Sequence, residues 1–226
     1  MLLVALTPSL AGAQQQKPEP TNVGANLLSR NVSWREPEST EADIVLVTDL
    51  ETARIPGGMF RARKCGDVEP KLIPAKDSSF QNELDRIANL KPEYQWAIDN
   101  GVFNFFPKFF TPSPLDISIA EFKVENEPVI QAYRKLLDTP DIKNGFARLG
   151  LHEPTVQVIL GGISTPPNIG GVSAPPRDQK GITLNLKNTT LREASNAIVR
   201  ADGRKTWVLS VVSCKGDNTY SSQLTN

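Results

Sequence analysis

The sequence predicts an α+β protein made of two related halves, in each of which one helix packs on a small mixed β-sheet. Three observations support this fold class: an ungapped internal repeat, two marked helix starts and a tight-turn signal between two strand patterns. The repeat aligns residues 72–98 with residues 183–209 and pairs Trp96 with Trp207. We therefore expect one supersecondary unit to occur twice in the chain.

The first copy predicts a strand, a helix and a hairpin, in that order. The side chain of Ser78 or Ser79 can accept a hydrogen bond from the free amides that open a helix, and Pro92 ends that helix. Asn100 and Gly101 tolerate the positive φ angles of a two-residue hairpin turn. The expected elements are a short strand at 72–73, a helix carrying Phe80, Leu84, Ile87 and Leu90, and paired strands over 94–98 and 102–106.

The second copy repeats this order with a clearer helix start. Thr190 and Glu193 have the spacing of a capping box, and Gly203 is a typical helix stop. The expected elements are a strand over 182–186, a helix carrying Leu191, Ala194, Ile198 and Ala201, a strand over 206–214 and a final strand over 220–224.

Residues around the two copies predict further elements. The β-branched run over 42–50 is typical of a buried strand, and turn residues separate it from a second strand over 59–63. Alternating apolar residues predict strands over 115–119 and 156–160. Pro128 and Pro140 mark the starts of two short helices between those strands.

The beginning of the chain resembles an export signal. Residues 1–13 are uncharged and largely apolar, and they end in a small-x-small pattern that predicts cleavage after Ala13. Residues 14–40 are polar, contain proline and lack a period, so we expect a mobile leader, with Trp34 docking it on the fold. The alternative is an apolar stub on a cytosolic protein. Export predicts a periplasmic or secreted protein.

The segment 161–181 is rich in glycine and proline and contains its own short repeat. GGISTPP at 161–167 returns as GGVSAPP at 170–176. Such a composition predicts an extended loop, because it supports neither a ladder nor a helix interior. A linker between the halves is the favoured interpretation, and a polyproline ligand for an aromatic groove is the alternative.

Cys65 and Cys214 are the two cysteines of the chain. In an exported protein they most simply form one disulfide, which would join the regions that flank the two copies. Two unpaired buried thiols are the alternative if the protein is not exported.

Composition argues against several kinds of function. Twenty-five basic and twenty-five acidic residues leave no net charge, which gives no electrostatic basis for binding nucleic acid. His152 is the single histidine, no GxSxG motif accompanies it, and the glycine pairs lack the lysine of a phosphate-binding loop. Asp43, Asp49 and Glu51, or Asp99 in the turn, could supply paired carboxylates, but strand-edge charges and turn formation explain them more simply. We expect no cofactor and no metal.

Aromatic residues are the best interaction candidates. The equivalence of Trp96 and Trp207 in the two copies favours core packing over stacking on a sugar. A window of five phenylalanines exceeds what one face of a hairpin strand can bury, so we expect part of it to form a docking surface for another protein. Its members are Phe103, Phe105, Phe106, Phe109 and Phe110.

The repeated unit resembles a known family. The run Thr190-Leu191-Arg192-Glu193-Ala194, the stop at Gly203 and the strand entered through Trp207 are similar to the short N-terminal domain of secretins and TonB-dependent receptors. Residues 77–104 look like a second copy, and the likeness covers about a quarter of the chain. The resemblance implies a small periplasmic interaction module without catalytic residues. The resulting prediction is a non-enzymatic module that binds another envelope protein, and the alternatives are an envelope hydrolase and a ligand or glycan binder.

Overall fold

A computed structural model describes residues 22–34, 38–153 and 181–225, which form a mixed α+β fold. The helices of this part of the chain are α1 (Asn22–Leu28), α2 (Ala42–Thr52), α3 (Phe80–Leu90), α4 (Val129–Leu137), α5 (Pro140–Arg148) and α6 (Leu191–Asp202). Its strands are β1 (Asn31–Ser33), β2 (Thr40–Glu41), β3 (Gly57–Lys64), β4 (Lys71–Leu72), β5 (Asp77–Ser79), β6 (Tyr94–Asp99), β7 (Val102–Pro107), β8 (Ser118–Glu127), β9 (Leu151–His152), β10 (Ile182–Thr190), β11 (Thr206–Cys214) and β12 (Asp217–Thr225).

A six-stranded mixed sheet forms the centre of the fold, with the order β6-β7-β3-β11-β12-β9. Its middle strands β7, β3 and β11 run parallel, whereas the hairpins β6-β7 and β11-β12 are antiparallel. Strands β8 and β10 form a separate antiparallel pair. The two copies thus contribute to one shared sheet rather than to a sheet each.

Both faces of the central sheet are covered, and successive residues of its strands point to opposite sides. Met59 belongs to the core that contains residues of α1, α2 and α3, whereas the next residue, Phe60, belongs to the core that contains residues of α4, α5 and α6. On β11, Val208 joins the first core, and Trp207 and Leu209 join the second. This three-layer arrangement buries apolar residues on both sides of the strands, as expected for strands enclosed by helices.

The order of elements predicted for the two copies is confirmed. The strand predicted at 72–73 is β4, one residue earlier than expected, and α3 and the hairpin β6-β7 follow it after the additional short strand β5. The second copy has the nine-residue strand β10, helix α6 and the hairpin β11-β12. Their places in the sheet differ, because β6 is an edge strand and β11 an inner one. Trp207 is accordingly buried, whereas Trp96 is half-buried and stacks on Phe103. A common origin of the two units stays a prediction.

The helix caps and the hairpin turn predicted from local hydrogen-bonding patterns are confirmed. Thr190 and Glu193 form both bonds of the capping box, and Gly203 ends α6 in the left-handed conformation with a φ of 86°. Ser79 accepts a hydrogen bond from the amide of Asn82 and caps α3. Asn100 and Gly101 form the predicted turn, with φ angles of 49° and 80°.

The prediction of a buried strand over 42–50 is wrong, because these residues form helix α2. Ala42, Val45, Leu46 and Leu50 of this helix are buried, and apolar side chains cover most of its circumference. A segment that is apolar nearly all round shows no helical period, so its β-branched residues favoured a strand in the sequence.

Two other expectations are corrected. Within the expected mobile leader, residues 22–34 form α1 and β1, and the side chains of Leu27, Leu28 and Val32 are buried. Trp34 docks this segment, because its indole nitrogen donates to Asp49 Oδ1 over 2.8 Å. The strand expected over 115–119 begins only at Ser118, because a 3-10 turn occupies residues 114–116.

The predicted disulfide between Cys65 and Cys214 is present, with the two Cα atoms 5.0 Å apart. It joins the ends of the neighbouring parallel strands β3 and β11. The expected signal peptide, the strand over 156–160 and nearly all of the glycine- and proline-rich loop lie outside the described residues. None of the helices in the described ranges is long and apolar enough to cross a membrane.

Candidate functional site

A cleft opens in the central sheet where β3 and β7 diverge. Their ladder ends at the pair Met59 and Phe105, after which β3 continues beside β11 and β7 continues beside β6. The resulting space of about 360 Å³ is here called the splay cleft. It is lined by Ala62, Arg63, Asp67, Val68, Glu69, Pro70, Lys91, Glu93, Tyr94, Pro107, Phe109 and Phe110.

Tyr94 stabilises the diverged strands. Its hydroxyl donates to the carbonyl oxygen of Ala62 over 3.2 Å and accepts from the amide of the same residue over 3.1 Å. Ala62 lies beyond Met59, the last residue of β3 that pairs with β7. The Tyr94 hydroxyl therefore supplies the hydrogen bonds that a neighbouring strand would otherwise make to the backbone of Ala62. Farther along the same edge, Asp67 Oδ2 accepts from the amide of Lys64 over 2.8 Å.

A buried ion-pair network forms the base of the cleft, and its members Asp43, Arg63, Glu69 and Lys91 are here called the charged floor. The ammonium group of Lys91 contacts Asp43 Oδ1 at 2.7 Å and Glu69 Oε2 at 2.9 Å. Arg63 contacts the other oxygens of the same carboxylates, Glu69 Oε1 at 2.6 Å and Asp43 Oδ2 at 3.1 Å. These two cations and two carboxylates bridge helix α2, strand β3 and the end of helix α3, and Arg61 and Glu41 extend the network through longer contacts of 3.8 Å to Asp43 and 3.7 Å to Arg63.

Lys91 is held in the charged form although it is 2% exposed. Burial opposes the charge, but Asp43, Tyr94 and Glu69 outweigh it and raise the pKa of Lys91 above its ordinary value. The ammonium also lies 4.4 Å from the centroid of the Tyr94 ring. Because this lysine stays protonated, it is suited to hold the floor together and unsuited to act as a nucleophile.

The rim of the cleft is apolar and exposed. Phe109 is 89% exposed and Val68 88% exposed, which makes them the most exposed large apolar residues of the described chain. Phe110 is half-buried and meets Phe60 edge to face at a centroid distance of 5.0 Å. The cleft therefore presents apolar side chains above a charged and already paired floor.

The five phenylalanines of the predicted docking surface differ in exposure, and docking itself stays a prediction. The prediction is wrong for Phe103 and Phe105, which are buried in the core. Helices cover both faces of β7, so the sheet buries phenylalanine rings on both sides. Phe106 is half-buried and packs against the opposite core. Phe109 and Phe110 follow the end of β7, and these two line the splay cleft.

The other candidate residues do not gather into a catalytic arrangement. His152 Nε2 lies 2.8 Å from Asp217 Oδ1, but both side chains are more than half exposed at the far edge of the sheet from β6. Trp207 is buried, and its indole nitrogen donates to Asn196 over 2.9 Å. The described ranges contain no group of three or more histidine, cysteine or carboxylate side chains placed to hold a metal ion.

Two further buried carboxylates, Asp49 and Glu83, do not line the cleft. Asp49 on α2 is fully buried, and burial raises its pKa to about 7, with a further contribution from Glu83 and an opposing one from the Trp34 hydrogen bond. Glu83 on α3 is also buried, and Arg86 binds both of its oxygens at 2.8 and 2.9 Å. Asp49 therefore anchors the N-terminal segment rather than facing a cavity.

Sequence reasoning missed the charged floor. Its residues come from positions 43, 63, 69 and 91, and no spacing along the chain brings them together. Asp43 inside an apolar run was the one available signal in the sequence, because a carboxylate within a buried element needs a partner.

Comparison with known proteins gives no match to a protein-family model, to a curated protein or to a solved structure. The resemblance of the repeated unit to the secretin and TonB-receptor domain therefore stays a prediction.

Proposed function

We propose that this chain is a non-enzymatic interaction module of the bacterial cell envelope and that it binds a segment of another envelope protein in the splay cleft. The observation that carries the proposal is the convergence of the two most exposed large apolar side chains, Phe109 and Val68, on one cleft. Clustered apolar exposure is the usual mark of an interaction site on a soluble surface.

Energetic considerations support a binding role for these residues. Covering an exposed phenylalanine or valine is worth about 1.5–3 kcal/mol per side chain, and a folded chain gains none of it while the side chain faces water. A partner that covers both residues would gain this energy. The cleft volume of about 360 Å³ lies at the small end of the range for ligand-sized sites, which suits a few side chains of a partner rather than a folded domain.

The walls of the cleft are held in place before binding. The two hydrogen bonds of Tyr94 fix one wall against β3, and the charged floor ties that wall to α2 and α3. A site that is already formed loses less conformational entropy on binding. This rigidity supports binding through Phe109 and its neighbours without a large rearrangement.

The envelope location rests on two features. Residues 1–13 resemble an export signal, and the disulfide between Cys65 and Cys214 is of the kind that persists in oxidising compartments. Both fit a periplasmic or secreted protein.

Neither alternative has a comparable arrangement among the described residues. A hydrolase would need His152 and its catalytic partner in a concave site. His152 instead contacts Asp217 where both side chains are more than half exposed, and neither residue lines the cleft. A glycan binder would present an open indole face, whereas Trp207 is buried and Trp96 stacks on Phe103. The interaction module is therefore the function that the geometry supports best.

Capture of partners from an envelope extract tests the proposal. The bait proteins are the wild type, the double variant Phe109→Ser/Val68→Ser, and Ile73→Ser, which alters a 57% exposed apolar residue that does not line the cleft. We expect one reproducible partner with the wild type and with Ile73→Ser, and its loss with the double variant. No reproducible partner, or equal capture by all three, would overturn the proposal.

A further inference from the structure

We propose that the segment bound in the splay cleft carries an arginine next to an apolar side chain, and this inference rests on the proposed function. The cleft combines exposed apolar side chains with acidic groups on its rim. The apolar side chains favour an apolar residue of the partner segment, and the acidic groups favour a cationic residue.

The charges around the cleft differ in their availability. Both cations that line it belong to the charged floor and are already paired with buried carboxylates. Asp67 and Glu93 also line the cleft, are exposed, and form no ion pair among the described residues. The charge left for a partner is therefore negative, and a cationic group is complementary to it.

Two lysines flank the cleft without lining it. The ammonium group of Lys108 donates to the carbonyl oxygen of Pro92 over 2.6 Å, which directs it to the backbone rather than to a carboxylate. Lys64 is exposed, and its backbone amide, not its ammonium, contacts Asp67. Within the described residues neither lysine forms an ion pair with Asp67 or Glu93.

The exposed ring of Phe109 favours the same kind of ligand. The face of an aromatic ring attracts a cation, and arginine is the more frequent partner because its planar group stacks on the ring. The described residues already include such contacts, with Lys91 over the Tyr94 ring at 4.4 Å and Arg192 over the Phe106 ring at 5.6 Å. An arginine on Phe109 would also present several donors to the carboxylates of Asp67 and Glu93.

An apolar neighbour in the segment follows from the rest of the lining. Val68, Phe110, Pro70 and Pro107 supply apolar surface that an arginine alone would leave exposed. The bound unit is therefore a short linear segment held by side chains. The backbone edge of β3 offers it little, because Tyr94 and Asp67 already satisfy the groups of Ala62 and Lys64.

Fluorescence anisotropy with labelled hexapeptides tests the inference on the disulfide-bonded protein. The probes share the sequence Gly-Leu-X-Leu-Gly-Gly, with X as arginine, lysine, citrulline or glutamate. The variants are Asp67→Asn, which keeps an acceptor for the amide of Lys64, Glu93→Gln, Glu93→Lys and Phe109→Ser, with the exposed turn carboxylate in Asp99→Asn as the control. Thermal melting curves confirm that each variant is folded.

We expect the arginine peptide to bind at least fivefold more tightly than the citrulline and glutamate peptides. Asp67→Asn and Glu93→Gln should each weaken it about threefold, as for exposed ion pairs, and Asp99→Asn should leave it unchanged. Glu93→Lys should remove most of the preference for arginine over glutamate, because the unpaired charge of the rim falls from two negative groups to zero net. Equal binding of all four peptides, or weakening by Asp99→Asn as large as by Glu93→Gln, would overturn the inference.

The outcomes separate this inference from the proposed function. If Phe109→Ser abolishes capture of the envelope partner while the peptides show no charge preference, the cleft is a docking site and the arginine assignment is wrong. If sedimentation shows that Phe109→Ser dissociates a dimer of this chain, the occupant is a second copy and the assignment is again wrong.

Discussion

The indole ring of Trp207 lies directly against the backbone of Gly58, its register partner on the neighbouring strand β3. A methyl group added at Gly58 would lie 2.1 Å from Trp207 Cε2, well inside van der Waals contact. The most buried aromatic side chain of the second repeat unit therefore depends on a glycine outside both repeat units. This contact ties the two halves together in the centre of the shared sheet.

Gly58→Ala should lower the free energy of unfolding by about 2–3 kcal/mol, because the crowded core must shift around the new methyl group. Urea denaturation followed by circular dichroism measures the change. Gly66→Ala is the control, since its added Cβ meets nothing within 4 Å and bears only the roughly 1 kcal/mol strain of a positive φ. A smaller loss at Gly58 than at Gly66 would contradict the packing described here.

The buried ion pair of Lys91 with Asp43 should contribute more to stability than the exposed ion pair of Lys143 with Asp138. Lys91→Ala should cost about 3–5 kcal/mol, because it leaves buried carboxylates of the charged floor incompletely paired. Lys143→Ala should leave the free energy of unfolding nearly unchanged, since its ion pair with Asp138 is solvent-exposed. Denaturation midpoints for the two variants give this comparison, and equal losses would argue against a structural floor.

Asp49 should make stability depend on pH. Its pKa is raised from 3.8 to about 7 in the folded state, so the folded protein holds a proton that the unfolded chain has released. The stabilising contribution of that proton is present at about pH 4 and declines as the pH rises to about 7. At about 1.4 kcal/mol per pKa unit, up to about 4 kcal/mol is lost over this window.

Asp49→Asn keeps an acceptor for the indole of Trp34 and removes the titrating group. We expect this variant to be more stable than the wild type at pH 8 and to show a flatter stability profile between pH 4 and 7. Asp85→Asn, on the exposed surface of α3, should leave the profile unchanged. An Asp49→Asn profile as steep as that of the wild type would show that another group causes the dependence.

Removing the disulfide should destabilise the protein by about 3–5 kcal/mol, because Cys65 and Cys214 are 149 residues apart and their bond restricts the unfolded chain. The double variant Cys65→Ser/Cys214→Ser should keep the native circular dichroism spectrum at low temperature and melt earlier. An unchanged melting temperature would mean that β3 and β11 are held together without the crosslink.

The sequence predicted elements whose stabilising contacts are local. The capping box of Thr190 and Glu193 and the turn at Asn100 and Gly101 each involve neighbouring residues, so their spacing carried the information. Helix α2 was missed because Ile44 and Val47 place apolar side chains on its less buried side and Asp43 and Asp49 place charges on its buried side, which removes the hydrophobic period of a helix.

The candidate site was predicted only in part, for a related reason. Phe109 and Phe110 were identified because an excess of phenylalanines is visible in the sequence. The cleft beside them results from the divergence of β3 and β7, and Tyr94 stabilises it through the backbone of Ala62, 32 positions earlier. Contacts at such separations leave no pattern in a single sequence.

Site-specific photocrosslinking in living cells tests the central claim most directly. A p-benzoylphenylalanine residue replaces Phe109 at the cleft in one strain and Ile73, outside the cleft, in another. We predict a discrete crosslinked product with one envelope protein from position 109 and none from position 73. The absence of a product from position 109, or the same product from both positions, would contradict the account.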